Sequence, residues 1–434
     1  MQKTNIIHSN EVVGERPGYK HTKIGWIPND WEIFRFDEVF QFIPTYSFSR
    51  NQLTKTLPND KDVFNIHYGD IHTSFQNEQL DFDKDIEVAS LVNSTMDLEK
   101  FKLLQEGDLV IADASEDYEG ICDSVELKNV KNRKIIGGLH TFAVRDNSGL
   151  TANGYRGFIF KNEKVKHNLK RVATGISVLG VSKSNISKIL IPLPPAEEQV
   201  VISKALLKWD TAITKLGKLI KAKQKRKKGL MQQLLTGKKR LPGFYGEWEK
   251  TGAGNIFKSI SVKNKPLERL LSVTQDKGVI PREDLDGRVT MPSGKLDSFK
   301  LVDKGNFVIS LRSFQGGLEY SEYKGLVSPA YTVLQEVKEI DQSFYKYYFK
   351  SYEFIERLSI AVIGIRDGKQ ISYSDFCTVK IPNIKLKEQK AISQVLATAD
   401  KEIQLLQEQL EQMELQKKGM MQQLLTGKKR LINN

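Results

Sequence analysis

Apolar residues return at Ile202, Leu206, Trp209, Ile213, Leu216 and Ile220, and the same frame picks up Leu230 and Leu234. A second series holds Ile392, Leu396, Ala399, Ile403, Leu406, Leu410 and Met413, then Met420 and Leu424. Steps of four and three are the heptad seam of helices that pack along their whole length. The ends agree. Pro194-Pro195 followed by Glu197 and Glu198 suits a helix start, where proline and acids are favoured. Thr236-Gly237 followed by Lys238, Lys239 and Arg240 suits a glycine-terminated end. A helix of roughly 40 residues is about 60 Å long.

The two series are copies. KKGLMQQLLTGKKRL (227–241) and KKGMMQQLLTGKKRL (417–431) match at fourteen of fifteen positions. The match runs upstream through Asp210 and Asp400, Glu198-Gln199 and Glu388-Gln389, and Ile191-Pro192 and Ile381-Pro382. Gly229 and Gly419 sit inside the helices at a cost of about 1 kcal/mol each relative to alanine. Close approach by another backbone and plain local weakness both account for them.

Before each helix the pattern shortens. DVFNIHYGDI, GDLVIADAS and GLHTFAVRD precede the first helix; GRVTMPSG, GNFVISLRSFQGG and LVSPAYTVLQ precede the second. Alternating apolar residues bounded by Gly, Asp and Ser read as strands and turns, with a helical stretch over 341–358. Each segment opens on a similar phrase, GWIPNDWEIFRFDEVF (25–40) and LPGFYGEWEKTGAGNIF (241–257). The expected fold is therefore mixed α/β (α+β): an N-terminal segment 1–24, a domain 25–190, a helical spacer 191–241, a second domain 242–380 and a second spacer 381–434. The connectors match while the domains diverge. That is expected if both helices offer one surface to two copies of a partner while each domain reads something different. The repeated Gln232, Gln233, Leu234 and Leu235, with Gln422, Gln423, Leu424 and Leu425, are the candidates for that surface.

The net charge of +13 points to an anionic partner, nucleic acid first. It is concentrated: residues 199–241 hold thirteen Lys or Arg against Asp210, whereas 389–431 hold seven against five acids. Lys223 and Lys227 fall on the first seam, and Glu402, Glu408, Glu411 and Glu414 line the second helix, so basic and acidic flanks are expected to meet. A chain ending at residue 241 would then set Lys223 and Lys227 against their own copies and pair poorly with itself at low salt, improving as salt screens the repulsion. Two cysteines, Cys122 and Cys377, suit a reducing cytoplasm. No apolar run is long enough for a membrane span, and the first residues lack a signal-peptide pattern.

Catalytic patterns are sparse. There is no Asn-Pro-Pro-Tyr motif with a glycine-rich cofactor loop, and GKKR, GKLD and GKQI each lack the Ser or Thr of a P-loop. Asp303 with Glu322 and Lys324 loosely matches a metal-dependent nuclease, in which two carboxylates hold Mg²⁺ and a lysine polarises the phosphate. The histidines, His8, His21, His67, His72, His140 and His167, have no acid or cysteine cluster that would complete a metal site. No cofactor is expected.

Taken together, IPLPP with Glu198-Gln199, the doubled MQQLLTGKKRL, GWIPNDWE and RSFQGGL…SEYKGLVSPAYTVL resemble the specificity subunit of Type I restriction-modification systems, over essentially the whole chain. The resemblance implies two target-recognition domains alternating with two long helices packed as an antiparallel coiled coil. It implies a non-catalytic subunit that binds double-stranded DNA, each domain reading half of a split sequence. Two methyltransferase subunits and the restriction-translocase subunits would be its partners. The second spacer departs from the pattern, with Asn383-Ile384-Lys385 where the first has Leu193-Pro194-Pro195, which leaves the start of that helix open. Base readers need Arg or Lys for guanine and Asn or Gln for adenine, on loops that reach the major groove. By that criterion the candidates are His67, Tyr68, His72, Ser74, Ser182 and Lys183 in the first domain. In the second they are Arg312, Ser313, Gln315, Arg366, Lys369 and Gln370.

Overall fold

The computed structural model describes residues 16–432 apart from 76, 85, 93–97, 286–295 and 362–370. GRVTMPSG, expected as a strand, lies outside the described residues. The chain divides into two compact units, Met1–Lys215 with Leu410–Asn434, and Leu216–Gln409. Each long helix therefore gives one part to each unit.

In the first unit a five-stranded sheet runs Phe40–Ile43, Thr141–Asp146, Leu109–Ala112, Ser124–Lys128, Gln79–Asp81. It is antiparallel except where Ser124–Lys128 meets Gln79–Asp81. Leu109–Ala112 is apolar at all four positions, and all four are buried because the strand is central. A four-stranded sheet runs Lys134–Gly137, Val63–Ile66, Val88–Leu91, Leu53–Thr56. The strand expected over NIHYGDI ends at Ile66, and a short helix, Tyr68–Thr73, follows with His67 as its N-cap. The main core gathers Trp31, Phe36, Phe158 and Phe160, with Ile202 and Leu206 from the first long helix and Met421, Leu424 and Leu425 from the second.

The second unit holds a four-stranded sheet, Phe257–Ile260, Thr332–Glu336, Phe307–Ile309, Glu319–Tyr320, and a hairpin of Leu271–Thr274 with Gly278–Pro281. The helical stretch expected over 341–358 is two helices, Gln342–Tyr348 and Tyr352–Ala361. Phe344, Tyr345, Tyr348 and Phe349 join Phe257 and Phe307 in a buried aromatic cluster, closed by Leu234, Leu235, Ile392 and Leu396. Each such side chain contributes about 1.5–3 kcal/mol by leaving water.

The long helices span Ala196–Leu234 and Leu386–Leu425. Both follow a short two-stranded ladder: Leu190–Leu193 on Glu32–Arg35, and Lys380–Pro382 on Lys250–Gly252. The missing prolines do not shift the second start, because a glutamine fixes both. Gln199 donates to the Pro194 carbonyl (2.9 Å) and accepts from the Ala152 N–H (2.7 Å). Gln389 donates to the Ile384 carbonyl (2.8 Å) and accepts from the Asp341 N–H (2.7 Å).

In each unit the two helical segments run antiparallel. Lys223 pairs with Glu402 and Lys227 with Asp400 in the second unit, and Lys417 with Asp210 (2.6 Å) in the first. The expected Lys223 and Lys227 seam positions therefore hold, and Lys223 meets Glu402, one of the expected acids, while Lys227 meets Asp400. Glu408 accepts from Gln404 of its own helix instead, and Glu408, Glu411 and Glu414 are exposed. Gly229 and Gly419 have nothing within 4 Å of an added Cβ, so no backbone approaches them closely among the described residues.

Candidate nucleic-acid interface

The repeated peptide builds the same lock twice. Gly237 and Gly427 end the helices with φ of +73° and +71°, which glycine adopts without strain. A Cβ on Gly237 would lie 3.0 Å from Trp248, and one on Gly427 2.4 Å from Pro28. Three residues on, Arg430 clasps the buried Glu198 through Nε (2.5 Å) and an Nη (2.7 Å) and reaches Asp30 (2.6 Å). The guanidinium holds the Asp30 carboxyl below the usual range. Trp31 donates its indole N–H to Glu198 (2.9 Å). In the second unit Arg240 clasps Glu388 (2.6 and 2.8 Å), and Trp248 donates to it (3.3 Å). The Tyr19 hydroxyl donates to the Gly427 carbonyl (2.9 Å), tying the N-terminal hairpin of Tyr19–Thr22 and Gly25–Pro28 to the same place.

Leu234, Leu235, Leu424 and Leu425 are therefore core residues of this chain, not a surface for a partner. Gln422 is half-buried and donates to the Lys161 carbonyl (3.1 Å). Gln232, Gln233 and Gln423 are exposed.

Most first-domain candidates serve the fold. His67 Nδ1 accepts from the Gly69 N–H (3.0 Å), and burial lowers its pKa, which keeps that acceptor nitrogen unprotonated. His72 Nε2 meets the Ala114 carbonyl (2.9 Å). Ser74 accepts from Lys55 (3.0 Å) and donates to Asp70 (3.2 Å). Tyr68 and His72 line a cleft of about 650 Å³ that Lys161, Lys166, Lys417 and Met421 also border. Ser182 caps the helix Lys183–Ile186, and the Lys183 ammonium lies over the Phe42 ring at 4.3 Å. Ser182 and Lys183 are exposed.

The second domain presents a sharper loop. The strand Phe307–Ile309 ends, Ser310 and Leu311 follow, and a single helical turn spans Ser313–Gly316. Ser313 is buried, its hydroxyl accepting from the Ser310 N–H (2.8 Å), so it shapes the loop rather than meeting a ligand. Gly317 has φ +77°, and a Cβ there would lie 1.8 Å from the Phe349 carbonyl oxygen. Arg312 and Gln315 are left exposed. Arg366, Lys369 and Gln370 lie outside the described residues.

Two of the three residues of the loose nuclease pattern are spent on ion pairs. Glu322 pairs with Lys346 (2.6 Å) and Lys324 with Glu268 (2.9 Å). No group of three or more His, Cys, Asp or Glu side chains that could hold a metal is found among the described residues. Glu322→Ala and Lys324→Ala should leave DNA cleavage by the assembled complex within about twofold of wild type, since exposed pairs contribute little. Loss of cleavage with methylation retained would restore the nuclease reading.

Two diverged α/β domains, each closed by the same helical lock and each presenting polar loops, make a two-domain recognition scaffold. The Type I restriction modification DNA specificity domain matches residues 28–224 and 245–415, and the chain belongs to that family. It is a non-catalytic specificity subunit that recognises DNA sequence with two domains. It is 28% identical over 435 residues to the putative type I restriction enzyme MjaX specificity subunit of Methanocaldococcus jannaschii, covering 95% of this chain and 97% of the relative. The MjaVIII specificity subunit of the same organism is 30% identical over 305 residues, 64% of this chain and 71% of the relative. A chain solved in a study of the assembly and conformational transition of the type I R-M system shares the fold, with a TM-score of 0.59, 16% identity, and coverage of 92% of this chain and 99% of that one. No helix among the described residues is long and apolar enough to cross a membrane.

Proposed function

We propose that the domains spanning 25–190 and 242–380 each read one half of a bipartite double-stranded DNA target. The helices carry two methyltransferase subunits, in a cytoplasmic complex that restriction-translocase subunits join for cleavage. The observation that carries this reading is the doubled lock: Arg430 on Glu198 and Arg240 on Glu388 repeat one geometry under two domains that have diverged. A repeated frame with divergent readers suits one partner used twice on a two-part target. Gln232, Gln233 and Gln423, exposed next to the open faces of Gly229 and Gly419, are the repeat positions left for that partner.

In the second domain Arg312 and Gln315 have the chemistry to meet base edges. Arg312→Ala should relax discrimination at one position of one half-site, by about 1–3 kcal/mol. A methylation profile over targets varied at every base decides this. An equal change in both halves would assign Arg312 to phosphate or to the fold. Methylation by a co-purified methyltransferase, with and without this chain, tests the wider reading.

A further inference from the structure

Lys350 follows the aromatic helix Gln342–Tyr348 and points its ammonium under the exposed loop of the second domain. It donates to the Gly316 carbonyl (3.1 Å), to the Gln275 carbonyl (3.3 Å) and to Glu319 Oε1 (2.5 Å). Gly316 ends the single helical turn after Arg312, and Gln275 sits in the turn of the hairpin Leu271–Thr274 and Gly278–Pro281. Gln275 itself donates to the Arg312 carbonyl (3.3 Å). One ammonium therefore joins two loops that the sequence separates by some forty residues, and the second loop is bonded to the backbone of Arg312. Glu319 is buried at the start of the edge strand Glu319–Tyr320, which fixes where the ammonium can sit. Burial pushes the Glu319 carboxyl up to about 7, against the pull of Lys350. A buried acid in that state is costly to the fold, and it does little here except hold the lysine.

From these contacts we infer that Lys350, anchored by Glu319, is a positioning residue for DNA specificity: it sets the loop 310–317 and the turn 274–278 in the relative placement from which Arg312, Gln315 and Gln275 meet one half of the target. The inference rests on the reading of that loop as a base reader. Three backbone and carboxylate acceptors on one lysine match its three N–H donors, so a side chain without donors releases both loops at once. A purely structural role would lower the amount of folded subunit and leave base preferences alone.

The test is the methylation profile of the assembled complex on a target library varied at every base of both half-sites. Lys350→Met should relax, by about tenfold, the same half-site that Arg312→Ala relaxes, and leave the other half-site unchanged. Lys350→Arg, which can still donate to the three acceptors, should restore most of the preference. Where Lys350→Met fails to assemble, Glu319→Gln decides instead, with a smaller relaxation in the same half-site expected. A changed Arg312→Ala profile beside unchanged Lys350→Met (or Glu319→Gln) preferences overturns the inference and leaves the loop as a reader. A shift with Lys350→Met but none with Arg312→Ala supports the positioning role through Gln315 and Gln275 and removes Arg312. Unchanged preferences in all variants overturn both.

Discussion

Arg430→Ala is expected to destabilise the first unit by about 3 kcal/mol, the low end for removing one partner of a buried ion pair, since the arginine is partly exposed. Glu198 is buried. It accepts twice from Arg430 and once from Trp31, so truncating the arginine leaves a carboxylate inside the protein with one neutral donor. Asp30 loses its partner as well, but at the surface. The chain has two units and need not unfold in one step, so the measurement is hydrogen exchange resolved along the sequence. Protection should fall over residues 25–35, the start of the first long helix and residues 410–432, while the second unit keeps its rates. Adding Glu198→Gln to Arg430→Ala should recover part of the loss, because the orphaned charge is then gone. A loss of under about 0.5 kcal/mol, ordinary for a surface change, would mean that the lock is ornamental to stability.

A chain ending at Leu241 should form a dimer, with the first unit as its meeting place. Removing the second half strips that unit of Leu410–Asn434. It opens the core at Met421, Leu424 and Leu425 and leaves Glu198 without its arginine. Every one of those groups has a copy in the retained half: Met231, Leu234, Leu235 and Arg240. A second molecule can therefore supply the missing end of the helix. This reverses the expectation of like charges meeting across the seam. Lys417 pairs with Asp210 in the first unit, so its copy Lys227 would meet Asp210 and not another Lys227. Lys223 does lose its acid, because the position matching Glu402 is Ala212. Two copies of so basic a helix, with thirteen Lys or Arg against Asp210 over 199–241, still repel overall, so the dimer should tighten as salt rises toward about 0.15 M, where charges more than roughly 8 Å apart are screened. Arg240→Ala removes both copies of the contact to Glu198 from the dimer and should weaken it by more than about a hundredfold, since one contact alone is the equivalent of about 3 kcal/mol. Sedimentation equilibrium at several salt concentrations reads this directly. A monomer at every salt concentration would show that the two copies of the peptide are not interchangeable.

The first long helix was legible in the sequence to within a residue or two, and so was the end of the second, whose start the sequence left open. Their seams are local periodicity, Gly237 and Gly427 end them, and Gln199 and Gln389 each donate to a carbonyl 5 residues back at their starts. The doubled organisation was legible because a repeat needs no third dimension to be seen, and it carried the family with it. Side-chain roles in loops were not. His67, His72 and Ser313 have the donors and acceptors of base readers, yet each spends them on a backbone group of its own fold. Lys350 drew no notice, because nothing beside it in the sequence marks it; the turn phrase TQDKG at 274–278 was the one available signal for its partner loop. The leucines of the repeat looked like a surface because the same peptide occurs twice. Tertiary structure makes them core, each pair filling a unit built largely by the opposite half of the chain. A sequence determines which segments are helical, where they stop and that one is a copy of the other, since those follow from neighbours along the backbone. Which acid meets Lys227, which carboxylate Arg430 closes over and which loop Lys350 holds depend on residues from about thirty to more than two hundred positions away, and only folding brings those within bonding distance.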